Sequence, residues 1–200
     1  LLDDLHDRAP LDDQDRNMLS KALAEIERIE RLLSALLTFA TPQRSSFSCE
    51  NVLDPIRDVC LLMQKSSERQ GTHLQVDVPH QAIYCALDMD KIRQALLNLI
   101  KNALEAVEIG GAVTVTASQS TQEAFITIKD TGPGIDPEDM PLLFEPFFTR
   151  KGAGTGLGLS ITRQILEEHH GTITVSSSKG VGTVFTITLP RCKQEALNQA

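Results

Sequence analysis

The chain has 200 residues, and its 19 Lys and Arg against 27 Asp and Glu leave a formal net charge of −8. With the basic residues scattered along it, a nucleic-acid-binding face is excluded as a main function. The length suits one domain of ordinary size plus an appendage, and the sequence holds neither an apolar run of about 18 residues nor a basic-then-apolar leader. Four cysteines, Cys49, Cys60, Cys85 and Cys192, lie far apart with no Cys-x-x-Cys pair. They predict neither a zinc site nor a disulfide framework, and read as thiols of a reducing cytosol. Leu1-Leu-Asp-Asp-Leu5 starts in mid-pattern, as expected of a piece of a longer protein.

Residues from about 12 to 40 predict one long helix. Leu19, Ile26, Leu33 and Ala40 recur every seven residues, and Ala22, Ile29 and Leu36 make a second seam. Charged positions fill the gaps, a pattern suited to a coiled coil or four-helix bundle; a helix lying on its own domain's core is the other reading. Thr41-Pro42 stops it, and Gln43-Arg-Ser-Ser46 reads as a hinge.

Beyond the hinge, residues about 52 to 69 predict a helix with Val59, Leu62 and Met63 apolar, stopped at Arg69-Gln-Gly71. His73 to Val78 alternates as a strand, Ile83 to Cys85 is a short second one, and Asp88 to Glu108 is a helix. Strands over Ala112 to Ser118 and Ala124 to Lys129 follow, then a helix from about Leu157 to His170. A hairpin of Thr172 to Ser176 and Thr183 to Leu189 turns at Lys179-Gly-Val-Gly182. The expected fold is α+β: an α/β sandwich with helices on one face of a mixed, mostly antiparallel sheet, preceded by the long bundle-forming helix.

Four motifs carry the chemistry. Asn98 and Asn102 in Asn98-Leu-Ile-Lys-Asn102 stand one helical turn apart and share a face. An amide oxygen is a hard, neutral ligand for magnesium already held mostly by phosphates and water; a solvated pair is the plain alternative. Asp130, in Asp130-Thr-Gly-Pro-Gly-Ile135, ends a strand beside glycines that let backbone come close, and can accept from an adenine amine. An ordinary Asp-x-Gly turn is the alternative. Gly154-Thr-Gly-Leu-Gly-Leu-Ser160 opens a helix and suits a phosphate through backbone N–H groups and the helix dipole, yet it is neither a Walker loop nor a dinucleotide fingerprint. Lys101, Arg150 and Lys151 can neutralise γ-phosphate charge or be solvated. Phe144-Glu-Pro-Phe-Phe148 reads as packing that sets whether a lid is ordered.

In this order the motifs resemble the asparagine box, first glycine box, phenylalanine box and second glycine box of the catalytic, ATP-binding domain of sensor histidine kinases, over residues about 47 to 190. The superfamily also holds gyrase, heat-shock chaperone and mismatch-repair ATPases. His170-Gly-Thr-Ile-Thr-Val-Ser and Gly182-Thr-Val-Phe-Thr-Ile-Thr-Leu-Pro190 are similar too, and residues about 12 to 41, ending Leu36-Leu-Thr-Phe-Ala40, resemble the second helix of the family's dimerisation domain. The resemblance implies that Asn102 coordinates magnesium, supported by Asn98 with Lys101 beside it. It implies that Asp130 binds the adenine amine, that Gly132, Gly134 and Ile135 shape its pocket, and that Thr183 lies near the adenine. Phe144, Phe148, Arg150, Lys151, Gly154, Thr155, Gly156, Leu157, Gly158 and Leu159 would border ATP, the three glycines as the lid's C-terminal hinge.

The same resemblance implies Mg-ATP as cofactor and transfer of the γ-phosphoryl group to a histidine, then to a response-regulator aspartate. It implies a homodimer through the helical bundle, no nucleic acid, no membrane contact by this stretch, and a cytoplasmic location whether or not the parent is anchored in a membrane. Hydrolysing relatives carry a glutamate where Asn98 stands, and an amide cannot act as a general base; hydrolysis is expected to be slow. The family's acceptor lies in a His-[Asp/Glu]-x-x-x-Pro setting, and His6-Asp-Arg-Ala-Pro10 is one residue short. The acceptor is therefore expected upstream of Leu1. The expected organisation is residues 1–42 as the C-terminal part of the dimerisation hairpin, 43–192 as the catalytic domain and 193–200 as a tail. A clamp-type ATPase, a module that only senses nucleotide or dimerises, and a kinase of protein serine on the same fold stay open.

Overall fold

A computed structural model describes residues 15–23, 25–26, 45–151 and 154–192. The chain divides into two compact units, Leu1–Gln43 with Thr149–Thr155, and Arg44–Phe148 with Gly156–Ala200. Within the first, residues 15–23 and 25–26 are helical, inside the span predicted for the long helix. The remainder of that helix, its Thr41-Pro42 stop, Gln43 and Arg44 of the hinge, His6 and the tail from residue 193 lie outside the described residues.

The second unit is built in chain order from β1 (Ser48–Asn51), α1 (Leu53–Gln70), β2 (His73–Asp77), β3 (Tyr84–Leu87), α2 (Met89–Ala106), β4 (Ala112–Gln119), β5 (Glu123–Asp130), a 3₁₀ turn (Met140–Leu142), α3 (Gly158–Glu168), β6 (Thr172–Ser178) and β7 (Gly182–Pro190). Five strands form one sheet in the order β2-β4-β5-β7-β6. β2 runs parallel to β4, joined through the crossover that contains α2, and the other pairs are antiparallel. The sheet is mixed and mostly antiparallel, as expected. β1 and β3 pair separately as an antiparallel ribbon, with Cys49 opposite Ala86. β1 has no signal in the sequence beyond a polar stretch; four residues cannot show a period of two.

Alternation explains the core. Ala124, Ile126 and Ile128 of β5, Val113 and Val115 of β4, and Phe185, Ile187 and Leu189 of β7 point to one buried face. Against it α2 lays the stripe Ile92, Ala95, Leu96, Leu99, Ile100, Ala103 and Leu104, spaced three and one, as a helix with one apolar face must be. Asp88 caps α2, its Oδ1 accepting from Lys91 N at 3.2 Å. α1 buries Leu53, Ile56, Val59 and Cys60 but leaves Leu61 and Leu62 78 % and 66 % exposed. Leu62, apolar in the sequence pattern, therefore faces solvent. Gly71 ends α1 at φ +67, and the buried Ser67 hydroxyl donates to Thr72 O at 2.8 Å just beyond it.

The C-terminal end of α3 is tied down by polar contacts. His169 is buried, its Nε2 accepts from Asp88 N at 3.0 Å, and its Nδ1 lies 2.7 Å from Ile165 O. An N–H pointing at Nε2 requires a lone pair there, so the proton sits on Nδ1 and is donated to the carbonyl. Phe47 packs edge-on to the imidazole, with centroids 4.9 Å apart. Next to it Lys91 Nζ meets Glu168 Oε2 at 2.6 Å, and Ser45 Oγ donates to the same oxygen. Burial pushes the Glu168 carboxyl up, but hydrogen bonds and charge from Lys91, with Ser45 and Gln164, outweigh it and hold it below its ordinary value.

The cysteines depart from expectation. Cys49 and Cys192 form a disulfide across a sequence separation of 143 residues, while Cys60 and Cys85 are buried thiols pushed up to about 11 by burial. In the chain-entropy account, closing so long a loop is worth about 5 kcal/mol. A separation of this length leaves no trace in local spacing.

Two outcomes test this packing. Ser67→Ala leaves Thr72 O without its buried donor and is expected to lower unfolding stability by about 1–3 kcal/mol in urea titrations. Glu168→Gln is expected to melt lower at neutral pH. Because the folded carboxyl is depressed, its stabilisation is present above the unfolded value and is lost as pH falls through the folded one. Melting curves of parent and variant should therefore converge in acid.

Candidate nucleotide site

The site is assembled where β5 ends. The register that sets Lys129 against Val184 brings Asp130 beside the start of β7. Asp130 is 3 % exposed, and its Oδ1 accepts from Gly132 N at 2.8 Å and Thr183 N at 3.2 Å. Burial pushes this carboxyl above its ordinary value against the downward pull of those two bonds. Oδ2 takes no hydrogen bond from the described residues. One oxygen is fixed by the backbone, and the other is left to accept.

The first glycine turn is held on two sides. A Cβ on Gly132 would stand 2.7 Å from Ala106 O at the end of α2, so only glycine lets the turn rest there. Gly134, at φ +75, packs against the Ser178 carbonyl. The β6–β7 hairpin grips the rest: Gly180 N donates to Pro133 O at 2.7 Å, and Ile135 N to Ser177 Oγ at 2.9 Å. Ser177 Oγ in turn lies 3.0 Å from both Gly182 O and Thr183 Oγ1. Lys179 Nζ closes the outside on Asp136 at 2.6 Å. Ser177, Lys179 and Gly182 were not legible as site residues, because Lys179-Gly-Val-Gly182 signals only a turn.

Asn98 and Asn102 flank the buried stripe of α2, both half-buried. Asn98 Nδ2 donates to Gly158 O at 3.3 Å, joining α2 to the first turn of α3, and Thr162 Oγ1 donates to the same carbonyl at 2.9 Å. The Asn102 amide makes no hydrogen bond with the described residues. Lys101, one turn on from Asn98, is exposed, and its Nζ lies 3.9 Å from Glu105 Oε1.

The phenylalanine and second glycine motifs touch. Gly156 sits at φ +69 with its backbone against Phe147, itself at φ +68 and 61 % exposed. Leu157 is buried and leads into α3, while Gly158 and Leu159 are half-buried in its first turn. Phe144 and Phe148 are half-buried, and the Arg163 guanidinium stands 5.9 Å over the Phe144 ring, a contact absent from the expected set. Arg150, Lys151, Gly154 and Thr155 belong to the other compact unit. There Lys151 N donates to Thr149 Oγ1 at 3.1 Å and Gly154 N to Lys151 O at 3.1 Å.

This fold and these motifs define a nucleotide-binding α/β sandwich. Residues 87–193 match the model of the histidine kinase-, DNA gyrase B- and HSP90-like ATPase family, and the chain belongs to that family. It is homologous to sensor histidine kinases. Sensor histidine kinase ZraS of Salmonella typhi is 34 % identical over 185 residues, covering 92 % of this chain and 40 % of that protein. Sporulation kinase E of Bacillus subtilis (strain 168) is 36 % identical over 170 residues, covering 84 % and 23 %. The chain thus spans well under half the length of these curated relatives.

Among solved structures, a nucleotide-free catalytic domain of histidine kinase ThkA aligns with a TM-score of 0.68 at 31 % identity, over 73 % of this chain and 96 % of that one. Full-length ShkA in complex with AMPPNP aligns at 0.77 and 26 %, over 94 % and 41 %. ThkA in complex with the response regulator protein TrrA aligns at 0.75 and 26 %, over 94 % and 54 %. The expected α/β sandwich and family stand. No helix among the described residues is long and apolar enough to cross a membrane.

The Asp130 geometry carries a stability prediction. Its folded carboxyl is raised, so the folded state is favoured when the group is protonated, and that support is lost as pH rises through the folded value. Asp130→Asn keeps an oxygen for both N–H groups without the buried charge. It is expected to melt no lower than the parent at pH 7, with any advantage shrinking as pH falls.

Proposed function

We propose that residues 43–192 are the ATP-binding catalytic domain of a cytoplasmic kinase core, with residues 1–42 as the C-terminal part of a dimerisation hairpin and 193–200 as a tail. In the parent protein this domain passes the γ-phosphoryl group of ATP to a histidine upstream of Leu1, for relay to a response-regulator aspartate, within a homodimer. The observation that carries the reading is Asp130: a buried carboxylate with one oxygen pinned by two backbone N–H groups and the other left to accept from an adenine amine. The AMPPNP held by ShkA and the response regulator protein TrrA held by ThkA support the nucleotide and the partner.

The residues fit a magnesium ion held jointly with phosphates. The donors proposed for it are the amide oxygens of Asn98 and Asn102. Asn102, half-buried and without a hydrogen bond to the described residues, offers one neutral oxygen; Asn98 gives its Nδ2 to Gly158 O and keeps its own oxygen. When bound, magnesium would neutralise charge on the phosphates. The chain's own residues do the rest by positioning. Asp130 fixes the base, and Gly132, Gly134 and Ile135 shape the wall behind it. Thr183 anchors Asp130 from β7, while Gly156, Leu157, Gly158 and Leu159 open α3 beside Asn98. Phe144 and Phe148 pack the segment that meets Gly156. Because Asn98 is an amide already donating to α3, it cannot deprotonate water, and the γ-phosphoryl group is preserved for transfer.

Calorimetric titration with ATP, with and without magnesium, tests this, followed by an assay for released phosphate. The expected result is magnesium-dependent binding with negligible hydrolysis. Asn102→Ala and Asp130→Asn should each weaken binding at least about tenfold, which needs only about 1.4 kcal/mol. Rapid phosphate release would instead assign the chain to the hydrolysing clamps, and no binding would leave a dimerisation module.

A further inference from the structure

Cys49 and Cys192 flank β3, and their Cα atoms lie within reach of a disulfide. Cys49 stands opposite Ala86 in the β1–β3 ribbon. On the other side of β3, Cys85 bridges Arg191, and Cys192 N donates to Tyr84 O at 2.9 Å. β3 holds β1 on one side and the chain leaving β7 on the other, and the two Cα atoms lie 6.3 Å apart. That lies within the range a disulfide spans. Arg191 fixes its segment separately, donating from Nη1 to Ser120 O at 2.7 Å, with its own N bonded to Gln122 O at 2.8 Å.

Strand geometry also selects this pair from the four cysteines. Side chains alternate along β3, with Cys85 and Leu87 buried and Ala86 exposed. Cys49, paired with Ala86, shares the outer face, whereas Cys85 points into the core. Cys49 and Cys192 are half-buried, while Cys60 and Cys85 are closed off from solvent. Only the first two combine mutual reach with access to a reagent.

We infer that Cys49 and Cys192 form a reversible thiol–disulfide exchange site, a clasp that ties β1 to the end of β7 when closed by a low-molecular-weight disulfide. In the closing reaction one cysteine thiolate attacks the small disulfide, forming a mixed disulfide and releasing one small thiolate. The second cysteine thiolate attacks the protein-side sulfur of that mixed disulfide, forming the Cys49–Cys192 bond and releasing the second. Two cysteines are oxidised, one small disulfide is reduced to two thiols, and the two cysteine protons end on those thiols. In a reducing compartment the pair rests as a dithiol; oxidative load closes it. Closure acts on stability rather than on the nucleotide, because Cys192 lies nine residues along from Thr183, about 30 Å of extended strand.

The test equilibrates the full chain in buffers spanning reduced to oxidised glutathione, quenches in acid, alkylates and maps peptides without reduction. A linked Cys49–Cys192 peptide should appear over one two-electron transition that runs in both directions in the folded protein. The oxidised form should melt at least about 5 °C above the reduced one. Cys49→Ser and Cys192→Ser should each melt as the reduced parent in both buffers, and ATP affinity should be the same in both states. The inference is overturned if the two cysteines carry separate glutathione adducts, link two chains, or form a bond that opens only on unfolding. None of these outcomes bears on the ATP reading, which the nucleotide titration decides separately.

Discussion

Everything in the site depends on one carboxylate oxygen. Asp130 Oδ1 joins the end of β5, the first glycine turn and the start of β7, because the two N–H groups it accepts come from Gly132 and Thr183. A buried carboxylate is costly unless hydrogen-bonded, and those two donors offset part of that cost without removing it. The remaining penalty keeps the carboxyl raised. It is offset further only when a donor reaches Oδ2. Under the proposed function, an exocyclic amine supplies that donor.

The same oxygen explains why the glycines stand where they do. With Asp130 fixed, Gly132 must lie against the last carbonyl of α2, so Asp130 and the asparagine helix are set relative to each other by backbone contact. Asn98 then reaches from α2 to Gly158 O and sets the start of α3. A chain of short contacts runs from β7 through Asp130 and α2 to α3. None of these links depends on an exposed, entropically expensive side chain.

Much of this was legible in the sequence. Long elements with a strong period, such as α2 with its three-and-one spacing and β4 and β5 with alternation, stand within a residue or two of their predicted ends. Asn98, Asn102, Asp130, Gly132 and Gly134 were legible because each follows or sits on such an element, and residue type limits what it can do there. Less legible were partners supplied from far along the chain. Ser177 enters through a hairpin turn whose composition signals only a turn, and Arg163 meets Phe144 across a loop. His169 reads locally as a helix end, yet its two ring nitrogens are both satisfied, one by a backbone N–H from 81 residues away. β1 and the Cys49–Cys192 bond failed for the same reason, since a four-residue strand and a 143-residue separation carry no local period.

Under the proposed function, the asparagine at position 98 preserves the phosphoanhydride for transfer. A carboxylate in that place would have to choose between accepting a proton from water and sitting beside Gly158 O, which repels it. An amide has no such conflict: its nitrogen satisfies the carbonyl, and its oxygen remains for a hard ligand. The substitution that removes the base is therefore the one that lets α2 and α3 bond directly. Under the proposed function, the link from α2 to the start of α3 and the lack of a hydrolytic base are two consequences of one side chain. A variant that restored a glutamate there would have to disturb the α2–α3 contact to gain hydrolysis.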